Sequence, residues 1–184
     1  GSATKAFPGI EAEILDEQGN PVGPGGGGYL TIKKPWPSML RTIYGDPDRY
    51  VDQYWSRYKD VYFTSDGAKL DEDGYFWFKA RTDDMIISSG YNIAGPEVET
   101  ALMTHESVVE CAVVGIPDLR RGSLVKAFVV LRQGFTGDVK LTKELQDFVK
   151  NSIAPYKYPR ALEFVDSLPK TETGKIQRFK LRQD

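Results

Sequence analysis

The fold of this chain is decided by two apolar runs, Val108-Val-Glu-Cys-Ala-Val-Val-Gly-Ile116 and Val125-Lys-Ala-Phe-Val-Val-Leu131. Both runs are apolar almost throughout, whereas a half-exposed strand would alternate apolar with polar residues. The pattern therefore predicts two strands of a sheet that is covered on both faces.

Further elements are predicted on either side of these runs. A short strand over residues 85–88 and a helix from Pro96 to Thr104 come before them, and the apolar side chains of the helix recur on one face. After them, Thr142 is predicted to cap a second helix, and Ala161 to Val165 form another strand. This order, β-α-β-β-α-β, predicts a small α+β domain of about 100 residues.

The region before residue 81 predicts β structure with one helix. Ile10 to Leu15 and Tyr29 to Lys33 alternate, which is typical of antiparallel strands with one face in solvent. Asp46 followed by Pro47 predicts a helix start, since Asp is a good N-cap and Pro suits the first turn. We therefore expect a β-rich region over residues 1–81 and the α+β domain over residues 82–184.

Composition narrows the classes of function. The chain has 184 residues, a net charge of -2 and 40% hydrophobic residues, which is ordinary for a globular protein. No apolar run approaches the ~20 residues of a membrane span, and no signal peptide opens the chain. With one cysteine, Cys111, and one histidine, His105, neither a disulfide framework nor a Cys/His metal cluster is expected. We expect a cytoplasmic protein that binds neither membrane nor nucleic acid.

Near the C-terminus, Pro169-Lys-Thr-Glu-Thr-Gly-Lys175-Ile176 predicts a tight polar turn that presents a lysine. Pro169 restricts the backbone where the turn begins, and Gly174 frees it just before Lys175. An ammonium held in this way suits phosphate or carboxylate oxygens. On its own the loop leaves open a simple surface turn with a solvated lysine.

Two further residues fit a nucleotide. Asp66 follows a predicted strand and precedes a glycine, so its carboxylate is expected at a strand end, where it can accept hydrogen bonds from ribose hydroxyls. Arg81 is expected just past the next strand, where its guanidinium can add donors.

Three ordered motifs resemble those of the adenylate-forming, AMP-binding enzymes, a family that includes acyl-CoA synthetases, peptide-synthetase adenylation domains and luciferases. The family's Tyr-x-Thr-Gly-Asp appears as Tyr62-Phe-Thr-Ser-Asp66, and its closing Pro-Lys-Thr-x-x-Gly-Lys is intact at 169–175. Its middle motif, Gly-Arg-x-Asp with Gly-x-Arg-Ile and Glu-x-Glu, appears as Ala80-Arg-Thr-Asp83, Gly90-Tyr-Asn-Ile93 and Glu97-Val-Glu99. The resemblance covers the whole chain, as the C-terminal portion of a longer protein.

The resemblance implies ATP-dependent activation of a carboxylic acid to acyl-AMP, followed by thioester formation with CoA. Asp66 and Arg81 would hold the AMP ribose, and Lys175 would bridge the acyl carboxylate and the α-phosphate. Ser89, Gly90 and Tyr91 would line the path of the pantetheine arm. Asp83 would be the hinge on which residues 82–184 move as a lid, and residues 1–81 would end the large AMP-binding domain.

Several points stay open within this resemblance. Pro35-Trp-Pro-Ser-Met39 is similar to acetyl-CoA synthetases, whereas Ser89 to Glu99 is more similar to benzoate, aminobenzoate and medium-chain ligases, so the acid is not defined. Asn92 replaces an arginine that contacts phosphate in relatives. No phosphate loop occurs here, so an N-terminal remainder is expected to complete the enzyme and to carry the Mg²⁺ ligands. The alternatives are an adenylation domain that loads a carrier protein and a non-catalytic α+β binding module.

Overall fold

The structure, a computed structural model, describes residues 1–182, and the side chain of Asp83 lies outside that description. The chain divides into two units, Gly1–Asp83 and Asp84–Asp184. The division falls within a short 3₁₀ helix, Thr82–Asp84, two residues after the boundary expected from the sequence.

The first unit is a four-stranded antiparallel sheet in the order β1-β2-β3-β4, so strands that are neighbours in sequence are neighbours in space. Its elements are β1 (Ala12–Leu15), β2 (Gly27–Ile32), α1 (Pro47–Trp55), β3 (Tyr62–Leu70) and β4 (Phe76–Arg81). Small apolar clusters form around Ile14, Leu30 and Ala68 and around Leu15, Tyr58 and Phe63. The predicted start of α1 is confirmed, because the Asp46 carboxylate accepts a hydrogen bond from the Arg49 amide at 3.1 Å.

The second unit is built on a five-stranded sheet in which β6, β5, β8 and β7 follow one another and β9 pairs in parallel with β8. Its elements are β5 (Met85–Ser88), β6 (Tyr91–Ala94), α2 (Gly95–Met103), β7 (Val108–Asp118), β8 (Gly122–Leu131), α3 (Val139–Ser152), β9 (Ala161–Phe164) and α4 (Arg178–Leu181). The expected α+β class is thus confirmed, with β6 and α4 added to the predicted order.

Both faces of this second sheet are covered, which explains why most residues of β7 and β8 are apolar. Val98, Leu102 and Leu145 belong to a cluster in which α2 and α3 pack on one face. On the other face, Leu168 and Leu181 pack against β7 and β8 in a second cluster with Ala112, Val114 and Phe128. The segment that contains Lys175 is therefore part of the fold, since Ile176 and Leu181 both pack in this second cluster.

Thr142 does not cap α3, contrary to the prediction. The N-cap is Asp138, whose carboxylate accepts a hydrogen bond from the Leu141 amide at 2.7 Å. The Thr142 hydroxyl instead donates to the Asp138 carbonyl at 2.9 Å, inside the first turn. Val139, the first residue of α3, is exposed, and the buried positions of the helix begin at Leu141, so the apolar pattern does not mark where the helix begins.

Within residues 1–182, no helix is both long enough and apolar enough to cross a membrane.

Candidate functional site

Asp66 lies within β3 and not at a strand end, so this part of the prediction is wrong. Three residues of β3, 64–66, lie between the pairs Phe63–Thr31 and Gly67–Tyr29, where β2 has only Leu30. The strand therefore continues through a bulge, in which Ser65 has a φ of 66°. The Thr64 hydroxyl donates to the Leu30 carbonyl at 2.9 Å and accepts from the Asp66 amide at 3.2 Å, which fixes the bulge.

The structure brings Asp66 and Arg81 together, as directly paired residues of β3 and β4. Arg81 is the last residue of β4 and is exposed, whereas Asp66 is half-buried. The pKa of Tyr62 is raised to about 12, mainly by burial and then by Tyr54, Tyr50 and the charge of Asp66. On this patch the Asp66 carboxylate can accept hydrogen bonds from hydroxyl groups, and the Arg81 guanidinium can bind an anion.

Ser89 and Gly90 form the two-residue turn between β5 and β6. Ser88 pairs with Tyr91, and the two turn residues have φ angles of 52° and 81°, as a type I′ turn requires. A Cβ at Gly90 would meet no atom within 4 Å, so the backbone angle, and not crowding, favours glycine here. The Ser89 amide donates to the Arg121 carbonyl at 2.8 Å, which ties the turn to the β7–β8 hairpin.

Tyr91 stacks on Tyr156, a contact that the sequence analysis missed. The ring centroids are 4.4 Å apart with an interplanar angle of 24°, and both rings are exposed. Next to Tyr156, the Lys157 ammonium contacts both carboxylate oxygens of Glu97 at 2.6 and 2.7 Å. Residues 91 and 156 are far apart in sequence, so no local pattern indicates that they form one aromatic surface.

Lys175 is exposed in a turn whose backbone is closed by hydrogen bonds. The Thr171 amide donates to the Lys175 carbonyl at 2.8 Å, and the Gln177 amide donates to the Pro169 carbonyl at 2.8 Å. The Lys175 amide donates to the Thr171 hydroxyl at 3.1 Å. The predicted tight turn is therefore present, and Gly174 adopts a φ of 82° in it.

The lysine turn and the Ser89–Gly90 turn are anchored toward opposite ends of β7. Lys170, at the start of the lysine turn, contacts Glu110 with its ammonium at 2.7 Å from a carboxylate oxygen. The Ser89–Gly90 turn lies where Ser88 pairs with Gly122, and Gly122 in turn pairs with Asp118 at the far end of β7. From Glu110 to Asp118 the strand extends about 26 Å at the usual rise per residue. One unit thus carries two candidate functional edges that are well separated.

The predicted site residues divide between the two units. Asp66 and Arg81 lie in the first, and Ser89, Gly90, Tyr91 and Lys175 lie in the second. Asp83, the predicted hinge, is in the 3₁₀ helix at the division, but its side chain lies outside the described residues. Among the described side chains, no group of three His, Cys, Asp or Glu residues is placed to hold a metal ion.

Residues 97–175 match the family model of the AMP-binding enzyme C-terminal domain. Over its whole length the chain is similar to the C-terminal portion of AMP-binding, adenylate-forming enzymes.

Among named relatives, the chain is similar to the acetyl-coenzyme A synthetase of Chlorobaculum tepidum, with 46% identity over 183 residues. That match covers 100% of this chain but only 28% of the relative. The ATP-bound MatB of Rhodopseudomonas palustris superposes with a TM-score of 0.85 at 29% identity, over 100% of this chain and 35% of that one. A benzoate CoA ligase from Burkholderia xenovorans gives 0.80 at 38% identity, over 99% of this chain and 35% of that one.

Proposed function

We propose that this chain is the C-terminal portion of an AMP-forming acid–CoA ligase. In the first step a carboxylate attacks the α-phosphate of ATP, which gives acyl-AMP and releases pyrophosphate. In the second step the thiol of CoA attacks the acyl carbon, which gives the thioester and releases AMP. The observation that carries the proposal is the pair of separated edges on one unit, an exposed lysine turn and a glycine hairpin beside an aromatic surface.

Each edge suits one of the two steps. Lys175 carries a mobile point charge on a fixed backbone, which can stabilise the negative charge that builds up when a carboxylate approaches a phosphate. The Ser89–Gly90 turn has no side chain at residue 90, so a thin pantetheine arm can pass close to the backbone. Tyr91 would line that path.

Asp66 and Arg81 would hold the ribose of AMP on the first unit. Asp66 supplies carboxylate acceptors for hydroxyl groups, and the neighbouring Arg81 adds donors. Residues 82–184 would act as a lid that turns at Asp83 and brings each edge to the adenylate in succession. Residues 1–81 would be the end of the large AMP-binding domain.

The substrates and partners follow from the same proposal. They are ATP, CoA and a small carboxylic acid, with the N-terminal remainder of the enzyme supplying the acid pocket and the ligands of Mg²⁺. The name of the C. tepidum relative makes acetate the first acid to test. A cytoplasmic location is part of the proposal, because the single cysteine is free and buried, as in proteins of reducing compartments.

A fusion enzyme tests the proposal. This chain would replace the matching C-terminal segment of the C. tepidum acetyl-coenzyme A synthetase, with the parent enzyme and its truncated N-terminal part as controls. We expect the fusion to exchange pyrophosphate into ATP with acetate and to form the CoA thioester. A folded fusion no more active than the truncated part would contradict the proposal. Transfer to a phosphopantetheinyl carrier protein with no use of CoA would favour the carrier-loading alternative.

The chain alone is predicted to be inactive. Asp66, Arg81 and Lys175 are present, but the sequence contains no phosphate loop, and the proposal places the acid pocket in the N-terminal remainder of the enzyme. The purified 184-residue chain should release no pyrophosphate from ATP with acetate, propionate or benzoate. Release above a Lys175→Ala control would show that the remainder of the enzyme is not needed.

A further inference from the structure

Four charged side chains of the second unit form an ion network beside the lysine turn. Glu99 of α2 is buried and receives three hydrogen bonds from the Arg178 guanidinium, at 2.7, 2.9 and 3.1 Å. A second terminal nitrogen of Arg178 lies 3.7 Å from the Asp84 carboxylate, which also pairs with Arg182. The network therefore joins α2, α4 and the first residue of the unit.

The buried Glu99 carboxylate in this network has several hydrogen-bond donors, as a buried polar group requires. The Glu99 carboxylate also accepts the Val113 amide of β7 at 2.8 Å, so its position is fixed by the sheet as well as by Arg178. Burial alone would lower the pKa of Arg178, but the hydrogen bonds and charge of Glu99, together with Asp84, raise it above its ordinary value. The contact is geometrically specific, since the planar guanidinium donates to both oxygens of the Glu99 carboxylate.

Arg178 is also the residue that ends the lysine turn. It is the first residue of α4 and lies three positions after Lys175, and the Gln177 amide between them closes the turn on Pro169. At the other end, Lys170 pairs with Glu110, but this ion pair is more exposed, with 41% and 27% of the two side chains accessible. For Arg178 and Glu99 the values are 20% and 8%. The ion pair of Arg178 with Glu99, after Lys175, is therefore the stronger anchor of the lysine turn.

We infer that Arg178 is a positioning residue for Lys175, and that its ion pair with Glu99 fixes the lysine turn to α2 and β7. Asp84, which directly follows the proposed hinge residue, has a carboxylate oxygen 3.7 Å from the Arg178 guanidinium and adds charge attraction to the hydrogen bonds that the guanidinium donates to Glu99. The inference rests on the proposed function for its catalytic consequence. Its structural part, that Arg178 orders the turn, can be tested without any activity.

The structural test is hydrogen exchange in the 184-residue chain. Arg178→Met leaves Glu99 without its ion-pair partner, so it is compared with the double variant Arg178→Met/Glu99→Gln, which removes both charges and leaves no unpaired buried carboxylate. In both variants the amides of Thr171 and Gln177 should exchange at least ~10-fold faster, since the turn loses its anchor. Amides of the β7–β8 ladder should be unchanged. Lys126→Met, which removes the 2.8 Å ion pair of Lys126 with Glu163 elsewhere in the unit, serves as the matched control. Unchanged exchange at residues 171 and 177 in the double variant would overturn the inference.

The catalytic test uses the fusion enzyme and separates the two half-reactions. Arg178→Met should lower the rate of acetate adenylation by ~10- to 100-fold, the scale of a small displacement of a reacting group, with KM for ATP nearly unchanged. Thioester formation from supplied acetyl-AMP should change by less than about 3-fold. Arg178→Lys should recover part of the adenylation rate, since it restores a charge without the two-pronged geometry.

The same experiment includes Lys175→Ala so that two failures can be distinguished. If Lys175→Ala leaves adenylation intact, the proposed role of Lys175 is wrong, and the catalytic part of this inference is wrong as well. If Lys175→Ala stops adenylation while Arg178→Met leaves it intact, only the positioning role of Arg178 is wrong. Equal losses in both half-reactions, together with a lower melting temperature, would show that Arg178 is merely structural.

Discussion

Lys175 combines a fixed backbone with a free side chain. Hydrogen bonds close the turn on both sides of it, while its side chain is exposed to solvent. A lysine on such a turn can sample a small volume without moving its Cα, and this suits a charge that must meet oxygens which shift during a reaction.

Replacing Lys175 with alanine in the fusion enzyme should slow adenylation by roughly 10²- to 10³-fold, the loss expected for one transition-state donor. Thioester formation from supplied acetyl-AMP should change little, because the proposed second step uses the Ser89–Gly90 edge. Lys180→Ala, an exposed lysine of the same segment, is the control and should leave both steps unchanged. Equal losses in the two half-reactions of Lys175→Ala would indicate a structural role.

Individual residues show which features of the candidate site could be predicted from the sequence and which could not. The lysine turn was predictable because Pro169, Gly174 and the polar residues between them impose a local conformation. The setting of Asp66 was not, because it depends on three residues of β3 opposing one of β2, with Ser65 at a φ of 66°. Arg178 and Glu99 are 79 positions apart, so their pairing has no local signature.

At the scale of elements, the β5–β6 hairpin has two separate reasons to carry glycine at position 90. Its φ of 81° disfavours any other residue, and the open space around it is where a ligand would approach the backbone. A substitution at Gly90 alone cannot separate these reasons. A matching substitution at Gly134 separates them, because Gly134 has a φ of 96° and equally open surroundings but lies in a turn that belongs to none of the family motifs.

Gly90→Leu and Gly134→Leu should therefore each lower stability by a similar amount, about 1 to 2 kcal/mol for a side chain in the left-handed region. Only Gly90→Leu should abolish thioester formation in the fusion enzyme, while its pyrophosphate exchange persists. The measurements are urea unfolding and the two half-reactions. Normal thioester formation by Gly90→Leu would exclude Gly90 from the CoA path, and matching losses in Gly134→Leu would attribute the effect to stability.

The N-terminus of α3 gives a second test at this scale. Asp138→Ala removes the carboxylate that accepts the Leu141 amide and should lower the free energy of unfolding by ~1 kcal/mol. Thr142→Val removes a hydroxyl that only donates to the Asp138 carbonyl inside the helix, so its effect should be smaller. Urea unfolding of the 184-residue chain measures both. A larger loss for Thr142→Val would restore Thr142 as the stabilising residue.

Prediction of the elements succeeded where the hydrophobic pattern is long. The strands β7 and β8 and the helices α2 and α3 have enough residues for their apolar positions to define a period. β6 was missed because Ile93 is its one buried residue, and a single buried position defines no alternating pattern. α4 was missed for the same reason, since its four residues include one buried side chain, Leu181.

At the scale of the whole molecule, the two edges of the second unit create a geometric requirement. Their anchors on β7 are about 26 Å apart at the rise of an extended strand, which is much more than the reach of a lysine side chain. If both edges serve one adenylate, the unit must take up different positions in the two steps. The unit division falls after Asp83, so the backbone of the 3₁₀ helix Thr82–Asp84 is where a small change of φ and ψ would have this effect.

Asp83→Pro tests this requirement, because proline fixes φ near ~-65°, a value that a 3₁₀ helix accepts. The conformation seen here should then persist, and any position of the lid that needs another φ should become inaccessible. In the fusion enzyme we expect one half-reaction to survive and the other to fall at least ~10-fold, with overall turnover limited by the impaired step. Asp83→Ala removes the same carboxylate without fixing φ, so it should retain both half-reactions. A drop in both half-reactions with a lower melting temperature would indicate local damage. Full activity of Asp83→Pro in both would refute a hinge at this residue, because no change of φ at Asp83 would then be needed between the two steps.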